Sequence, residues 1–274
     1  MMFKKNKFII GMIHLEALPP YPKSKGTDYL IEKALQDLKR LQEGGVDGVI
    51  IENEWDHPHT LTVGKMQTAT LTLIANEVVR NSEIPVGLSV LLNDWEVAFS
   101  VAKITDCDFV RLDVFVDHAH DEHWNVKITE DPKKIGGFRQ QISADNIWLL
   151  ADIQVKYKKM LSNKSKIQSA MEAVENGADM VIVTGQGNMR GPNLEELDQV
   201  KNAIGKTPLV IGNGIGEDNL VSYLPHGDGF IVGYSFKKIN DGPEIGGEEI
   251  DIEKVKRIVS IRDKYLETKV LLGL

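Results

Sequence analysis

A chain of 274 residues, 42% apolar and 26% charged, has the balance of a soluble globular protein whose core needs no disulfide or metal to hold it. Its formal charge of −8 argues against nucleic acid or an anionic membrane as the main partner, but small anionic ligands need only a local positive site. The single cysteine, Cys107, closes no internal disulfide, so a reducing, cytoplasmic setting is expected.

The opening MMFKKNKFIIGMIHLEALPP is basic and then apolar, but His14 and Glu16 interrupt the run and no small-residue cleavage pattern follows. It reads as a first strand. No segment approaches the roughly 20 apolar residues of a membrane-spanning helix, so no integral membrane segment is expected. Strands are expected at 7–15, 47–53, 85–93, 108–116, 147–156, 179–185, 208–214 and 229–235. Between them lie amphipathic stretches such as DYLIEKALQDLKRLQEGG, which sets Leu30, Ala34, Leu38 and Leu41 on one helical face. NKSKIQSAMEAVENG and DIEKVKRIVSIRDKYLE follow the same period. Strands apolar on both faces and separated by helices mean a parallel sheet. The apolar tail KVLLGL is expected to pack on the body or on a neighbouring subunit of a homo-oligomer.

A weak repeat sharpens the count. GGVDGVII, TDCDFVRL, NGADMVIV and PHGDGFIV each introduce a strand through an acidic turn, at Asp47, Asp108, Asp179 and Asp228. The spacing is about two βα units each time. Eight strands in four such steps describe a (β/α)8 barrel, one α/β domain over 1–274; a doubly wound open sheet would not need this even pattern.

In such barrels the functional groups sit at the C-terminal ends of strands. VIGNGIGEDNL and IVGYSFKK follow the last two strands, where glycines let backbone amides approach an anion. Gly212, Asn213, Gly214, Gly233, Tyr234 and Ser235 form the expected phosphate cradle, with Lys237 as counter-charge; the plainer alternative is tight turns and nothing more. Arg111 and Asp113 alternate in FVRLDVFV, and Asp152, Gln154 and Lys156 do so in the next strand. Unpaired charge is costly beneath apolar helices, so these groups are expected at the mouth, for acid/base or Schiff-base chemistry or as a structural ion-pair layer. His14 closes the first strand, and in VDGVIIENEWDHPHT the second strand ends where Glu52 and Asn53 reach the mouth. Asp56 is as good a cap as a catalyst, and His57 and His59 lie beyond it, flanking Pro58. His118, His120 and His123 in VDHAHDEHWN lack the spacing of a tetrahedral site, and with Asp117, Asp121 and Glu122 the segment reads equally as a solvated lid. No cofactor is predicted, a divalent metal there being the lesser alternative.

Taken together, these segments resemble the BtpA family, named for a photosystem I biogenesis protein and including SgcQ-like proteins of sugar-related operons. IIGMIHLEALPPYP is similar to the family's Gly-x-x-His-Leu-x-x-Leu-Pro opening, and VDGVIIENEWDHPH to its Glu-Asn-x-x-Asp-x-Pro motif through Glu52, Asn53, Asp56 and Pro58. VLLND keeps Asn93 and Asp94, and LADIQVKY keeps Asp152 and Lys156. VTGQGNMRGPNLEELDQVK and GDGFIVGYSFKK resemble the last sections, including Gly185, Gly233, Ser235 and Lys237. The resemblance implies a TIM barrel of the phosphate-binding type and delivers no reaction. Departures fall at VDHAHDEHWNVKITEDP, in place of a Gly-rich loop, and at Leu92, Tyr157 and Tyr234, where the family usually has Arg, His and Thr. The expectation is an enzyme acting on a phosphorylated sugar or nucleoside by isomerisation, aldol-type cleavage or hydrolysis. Asp113 or Asp152 would move the proton, Arg111 and Lys156 would stabilise negative charge, and Glu52 and Asn53 would orient the substrate. The alternatives are a non-catalytic assembly factor, with an apolar patch and a mouth plugged by ion pairs, and a metal-dependent hydrolase built on His118, His120 and His123.

Overall fold

The computed structural model describes residues 2–185, 191–238 and 249–273. In chain order its strands are β1 (Phe8–His14), β2 (Gly48–Glu52), β3 (Val86–Ser89), β4 (Phe109–Leu112), β5 (His118–Asp121), β6 (Val126–Thr129), β7 (Trp148–Ile153), β8 (Lys158–Met160), β9 (Met180–Thr184), β10 (Leu209–Gly212) and β11 (Gly229–Val232). The helices are α1 (Thr27–Gly44), α2 (Lys65–Arg80), α3 (Trp95–Thr105), α4 (Pro132–Gln141), α5 (Lys166–Glu175), α6 (Leu194–Ile204), α7 (Leu220–Tyr223) and α8 (Ile252–Leu271). The eight expected strands form a closed parallel barrel in the order β1-β2-β3-β4-β7-β9-β10-β11. The pairing of β1 with β11, from Phe8 opposite Gly229 to Gly11 opposite Val232, closes it and rules out the open sheet.

Local chemistry sets the element ends. Helix α1 buries Leu30, Ala34, Leu38 and Leu41 and stops at Gly45, whose φ of 91° is left-handed. Asp94 accepts a hydrogen bond from the Val97 amide to start α3, and Ser165 with Gln168 forms a capping box on α5. Inside the barrel Phe8, Ile10, Met12, Ile50, Phe109 and Leu150 pack with Met180, Ile182, Val210 and Ile231. Gly87 and Gly229 make room for the rings: a β-carbon on either would stand about 2 Å from Phe109 or Phe8.

The repeated aspartates have one shared job, at the end opposite the mouth. Asp47, Asp108, Asp179 and Asp228 each accept the amide of the first or second residue of the preceding barrel strand, at 2.8, 2.8, 2.7 and 2.7 Å from Ile9, Val86, Leu149 and Leu209. Each returns its own amide to that residue's carbonyl at 2.8–2.9 Å. Asp47 also meets Arg262, fully buried on α8, at 2.5 Å, while Asp179 and Asp228 face Arg139 and Lys201. Asp108 has no ion pair among the described residues, so Asp108→Ala isolates the hydrogen bond. It is expected to cost about 1 kcal/mol in urea unfolding with an unchanged m-value.

Two expectations are corrected and a third is narrowed. The segment after β4 is an antiparallel hairpin, β5–β6, which with β8 makes a three-stranded sheet. It sits on Leu92, Val114 and Val155 through Ala119 and Ile128, apolar groups that distant loops supply. Gln154 leaves the alternation of β7: its φ is 45°, and its amide group turns to the Lys164 carbonyl at 2.7 Å. The tail does not pack on the barrel, since Val270, Leu271 and Leu272 are exposed. No helix among the described residues is long and apolar enough to cross a membrane.

Candidate active site

The register of the strands gathers a charged cluster at the mouth. His14 pairs with Glu52 across β1 and β2, and Glu52 with Ser89 across β2 and β3. Strands β4 and β7 end earlier than the sequence implied, which leaves Asp113 one residue past β4 and Lys156 three past β7. Arg111 is the hub. Its Nε reaches Asp152 Oδ2 at 2.9 Å, Nη1 reaches Glu52 Oε1 at 3.3 Å, and Nη2 lies 3.6 Å from Asp113 Oδ1. Asp113 also accepts from Lys158 Nζ at 2.9 Å.

Burial and charge drive these groups apart. Burial pushes the Glu52 carboxyl up to about 8, against the pull of Arg111 and with help from Glu54 and Asp113. Burial also raises Asp152, to about 6, with Arg111 opposing. Asp113 is equally buried, yet Lys158 and Arg111 hold it below the ordinary carboxylate range. Burial pushes His14 well below the usual imidazole value, and Lys237, Arg111 and Lys156 add to that, so the ring is neutral. Lys156 is lowered to about 8 by burial and Arg111.

The glycine turns lie on the β10–β11 side. Asn213 and Gly214, past the end of β10 at Gly212, have φ of 67° and 71°. Ser235 Oγ donates to the Ile215 carbonyl at 2.7 Å, tying the turn after β11 to the turn after β10. Gly233 passes against His14; a β-carbon there would lie 3.1 Å from Cε1 of the ring. The Tyr234 ring is 5.1 Å from that of His14, and its hydroxyl donates to Glu54 Oε1 at 2.7 Å. Lys237 is buried and its charge reaches His14. Two polar atoms here, His14 Nδ1 and Asn213 Nδ2, are buried with no hydrogen-bond partner among the described residues. Gly185 is buried at the end of β9; residues 186–190 of the motif that follows lie outside the described residues.

His14, Glu52, Arg111, Asp113, Asp152 and Lys156 therefore share one site, and the expected cradle residues flank it. Asn53 instead braces the backbone, its Oδ1 accepting the Leu91 amide at 2.8 Å and its Nδ2 donating to Asp56 at 3.1 Å. Asp56 also takes the Leu18 amide and the Gln67 side chain, so the pair secures the loop after β2. His57 meets Trp124 at a tilt and His59 meets it edge-on, at 5.3 and 5.5 Å between ring centres, joining that loop to the hairpin. His118, His120 and His123 are not brought together; His120 faces Asn125 and His123 packs edge-on against Trp124. Among the described residues, donors for a cation converge only at His14, Glu52 and Glu54, within 4.8 Å of one another. Arg111, Lys156 and Lys237 oppose a cation there, and Tyr234 already holds Glu54.

Glu54, Ser89 and Lys158 join the site without having been foreseen. Lys158 opens β8 of the three-stranded sheet, and positive φ at Gln154 and Tyr157 breaks the period of β7 before it, so alternation carried no signal for it. Glu54 lies in a loop, where no period applies.

The model for the BtpA family matches residues 5–264. An uncharacterized protein of Pyrococcus horikoshii is 33% identical over 93% of this chain and 96% of its own length. The photosystem I biogenesis protein BtpA of Synechocystis is 31% identical over 97% of this chain and 92% of its own. Among solved structures, phosphoribosylanthranilate isomerase of Thermotoga maritima superposes with a TM-score of 0.59 at 11% identity, over 94% of this chain and 99% of that one. (S)-3-O-geranylgeranylglyceryl phosphate synthase of Thermoplasma acidophilum, in complex with its substrate sn-glycerol-1-phosphate, gives 0.57 at 12% identity, over 95% of each chain. These two likenesses establish the shared barrel fold.

Proposed function

The chain belongs to the BtpA family, and from that footing we propose that it is an enzyme acting on a phosphorylated small molecule, a sugar or nucleoside phosphate. The carrying observation is the mouth itself. Two buried carboxyl groups, Glu52 near 8 and Asp152 near 6, share one guanidinium beside the glycine turns of the last two barrel strands. Such a split provides an acid and a base in one pocket near neutral pH: Glu52 donates a proton, Asp152 accepts one, and Arg111 stabilises the charge that develops between them. Gly212–Gly214, Gly233–Ser235 and Lys237 hold the phosphate, and the unsatisfied Asn213 amide finds its acceptor there. The phosphorylated compounds in the names of the two barrel neighbours support this ligand class. Proton transfer of this kind serves isomerisation or aldol-type cleavage directly. The setting is cytoplasmic, in keeping with the single buried thiol, and copies associate through the exposed Val270, Leu271 and Leu272.

The test is ligand-induced stabilisation. Phosphorylated sugars and nucleosides at 100 times their Kd are expected to add about 2.7 kcal/mol to the unfolding free energy, and the unphosphorylated parents much less. Equal shifts with both, or none with either, would sink this reading. They would favour a non-catalytic assembly factor, which the saturation of Arg111 and the name of the Synechocystis relative support.

A further inference from the structure

Among the described residues, Lys156 is an amine at the mouth that the acids there leave over. Arg111 is committed to Asp152 and Glu52, and Lys158 to Asp113. Lys156 Nζ has no ion pair or hydrogen bond among the described residues; it rests 4.7 Å from the centre of the Tyr157 ring. Its backbone is nonetheless fixed. The Lys156 amide donates to Thr184 Oγ1 at 3.0 Å, at the end of β9, and Tyr157 follows with a φ of 63°. The residue is half-buried, so a ligand in the mouth can touch the amine. The charged groups that act on it are Arg111, Asp113, Glu52 and Asp152, a mixed set that neither traps it as an ammonium nor leaves it in bulk water.

A desolvated amine beside a fixed cation is the environment that makes lysine a nucleophile toward carbonyl carbon. We propose that Lys156 forms an imine with the ligand, which makes the substrate class a phosphorylated aldehyde or ketone. This rests on the phosphorylated-ligand reading above and narrows it. The Nζ lone pair forms the N–C bond, and the C=O π electrons move to oxygen, which takes a proton from the Glu52 carboxyl. The nitrogen gives up a proton to Asp152. The hydroxyl then leaves as water, carrying the proton that Asp152 had taken, while the nitrogen lone pair forms C=N; ketone, amine and the Glu52 proton become a protonated imine and water, with no change of oxidation state. The protonated imine withdraws electrons from the neighbouring carbon, so that a C–H or C–C bond there breaks with its electron pair held in an enamine.

The experiment is reductive trapping. The full chain is incubated with a panel of triose, tetrose, pentose and hexose phosphates and reduced with sodium borohydride, and the modified peptide is mapped by mass spectrometry. At pH 7.5 an amine near 8 is neutral on the order of 100 times more often than one near 10.5, so labelling concentrates on Lys156. At least one sugar phosphate is expected to label Lys156 well above any other lysine, its unphosphorylated parent is not, and Lys156→Arg, shown to be folded by its urea unfolding transition, loses the label. Overturning results are labelling spread over surface lysines, labelling that persists in Lys156→Arg, or no Lys156 adduct across the panel. If phosphorylated ligands still stabilise the parent chain in those cases, only the imine falls; if they do not, the proposed function falls with it.

Discussion

Replacing Arg111 with methionine is expected to destabilise the fold by about 3–5 kcal/mol near pH 7.5, the usual consequence of removing one member of a buried charge cluster. The guanidinium is the shared partner of Asp152, Glu52 and Asp113, and Lys158 forms a direct ion pair with the last of these alone among the three. Methionine fills part of the volume and leaves buried carboxylates uncompensated. The folded pKa values of Glu52 and Asp152, already above the ordinary carboxylate ones in the parent, then rise further, so the folded variant binds still more protons than its unfolded chain. The variant's stability must therefore increase as pH falls, while Asp113 in the parent, held low by Lys158 and Arg111, contributes stability that is lost on acidification. The deficit between the two chains is expected to shrink steadily from pH 8 to pH 5 in urea unfolding. A small, pH-independent deficit would mean that Arg111 is a spectator.

Glu52→Gln should separate stability from function in the opposite direction. The parent carboxyl is raised from an ordinary 4.5 to about 8, chiefly by burial. Between those values the folded chain holds a proton that the unfolded chain has lost, so parent stability falls as pH rises through that window. Glutamine has nothing to ionise. The variant is expected to match the parent near pH 5 and to exceed it by a few kcal/mol at pH 9, as read from urea midpoints at constant m-value. Turnover of the sugar phosphate that stabilises the fold should fall by about 10²–10⁴, the range for removing a positioned proton carrier. A variant less stable than the parent at pH 9 would show that Glu52 works there as a charged ion-pair partner.

The barrel was legible because its signals are local. Each strand is a short apolar run, and each second one begins with an aspartate whose bond to the neighbouring strand needs only the residues of one turn. Arg111, Asp113 and Asp152 were legible because charge inside an apolar strand has few places to go. Where the strands stop, the reading weakens. Gln154 and Tyr157 have positive φ, so the alternation that placed Asp152 fails for Gln154 two residues later. The polar sequence of β5 gives no strand period of its own, because the apolar surface that orders it, Leu92, Val114 and Val155, belongs to three other loops. Asn53 stands beside Glu52 in sequence and was assigned the same ligand, but successive side chains diverge, and its amide closes on Leu91 and Asp56.

The ring of basal aspartates bears on what this barrel can tolerate in evolution. A strand that slips by one residue exchanges its inward and outward side chains, which would scatter His14, Glu52, Arg111 and Asp152 to opposite faces. The clasps fix the offset of every second barrel strand against the one before it, at the end remote from chemistry. Loop sequence at the mouth is thereby relieved of any part in alignment. The extra sheet built from the segments after β4 and β7 stands outside the barrel pairing, so its sequence can change without moving the strands beneath it.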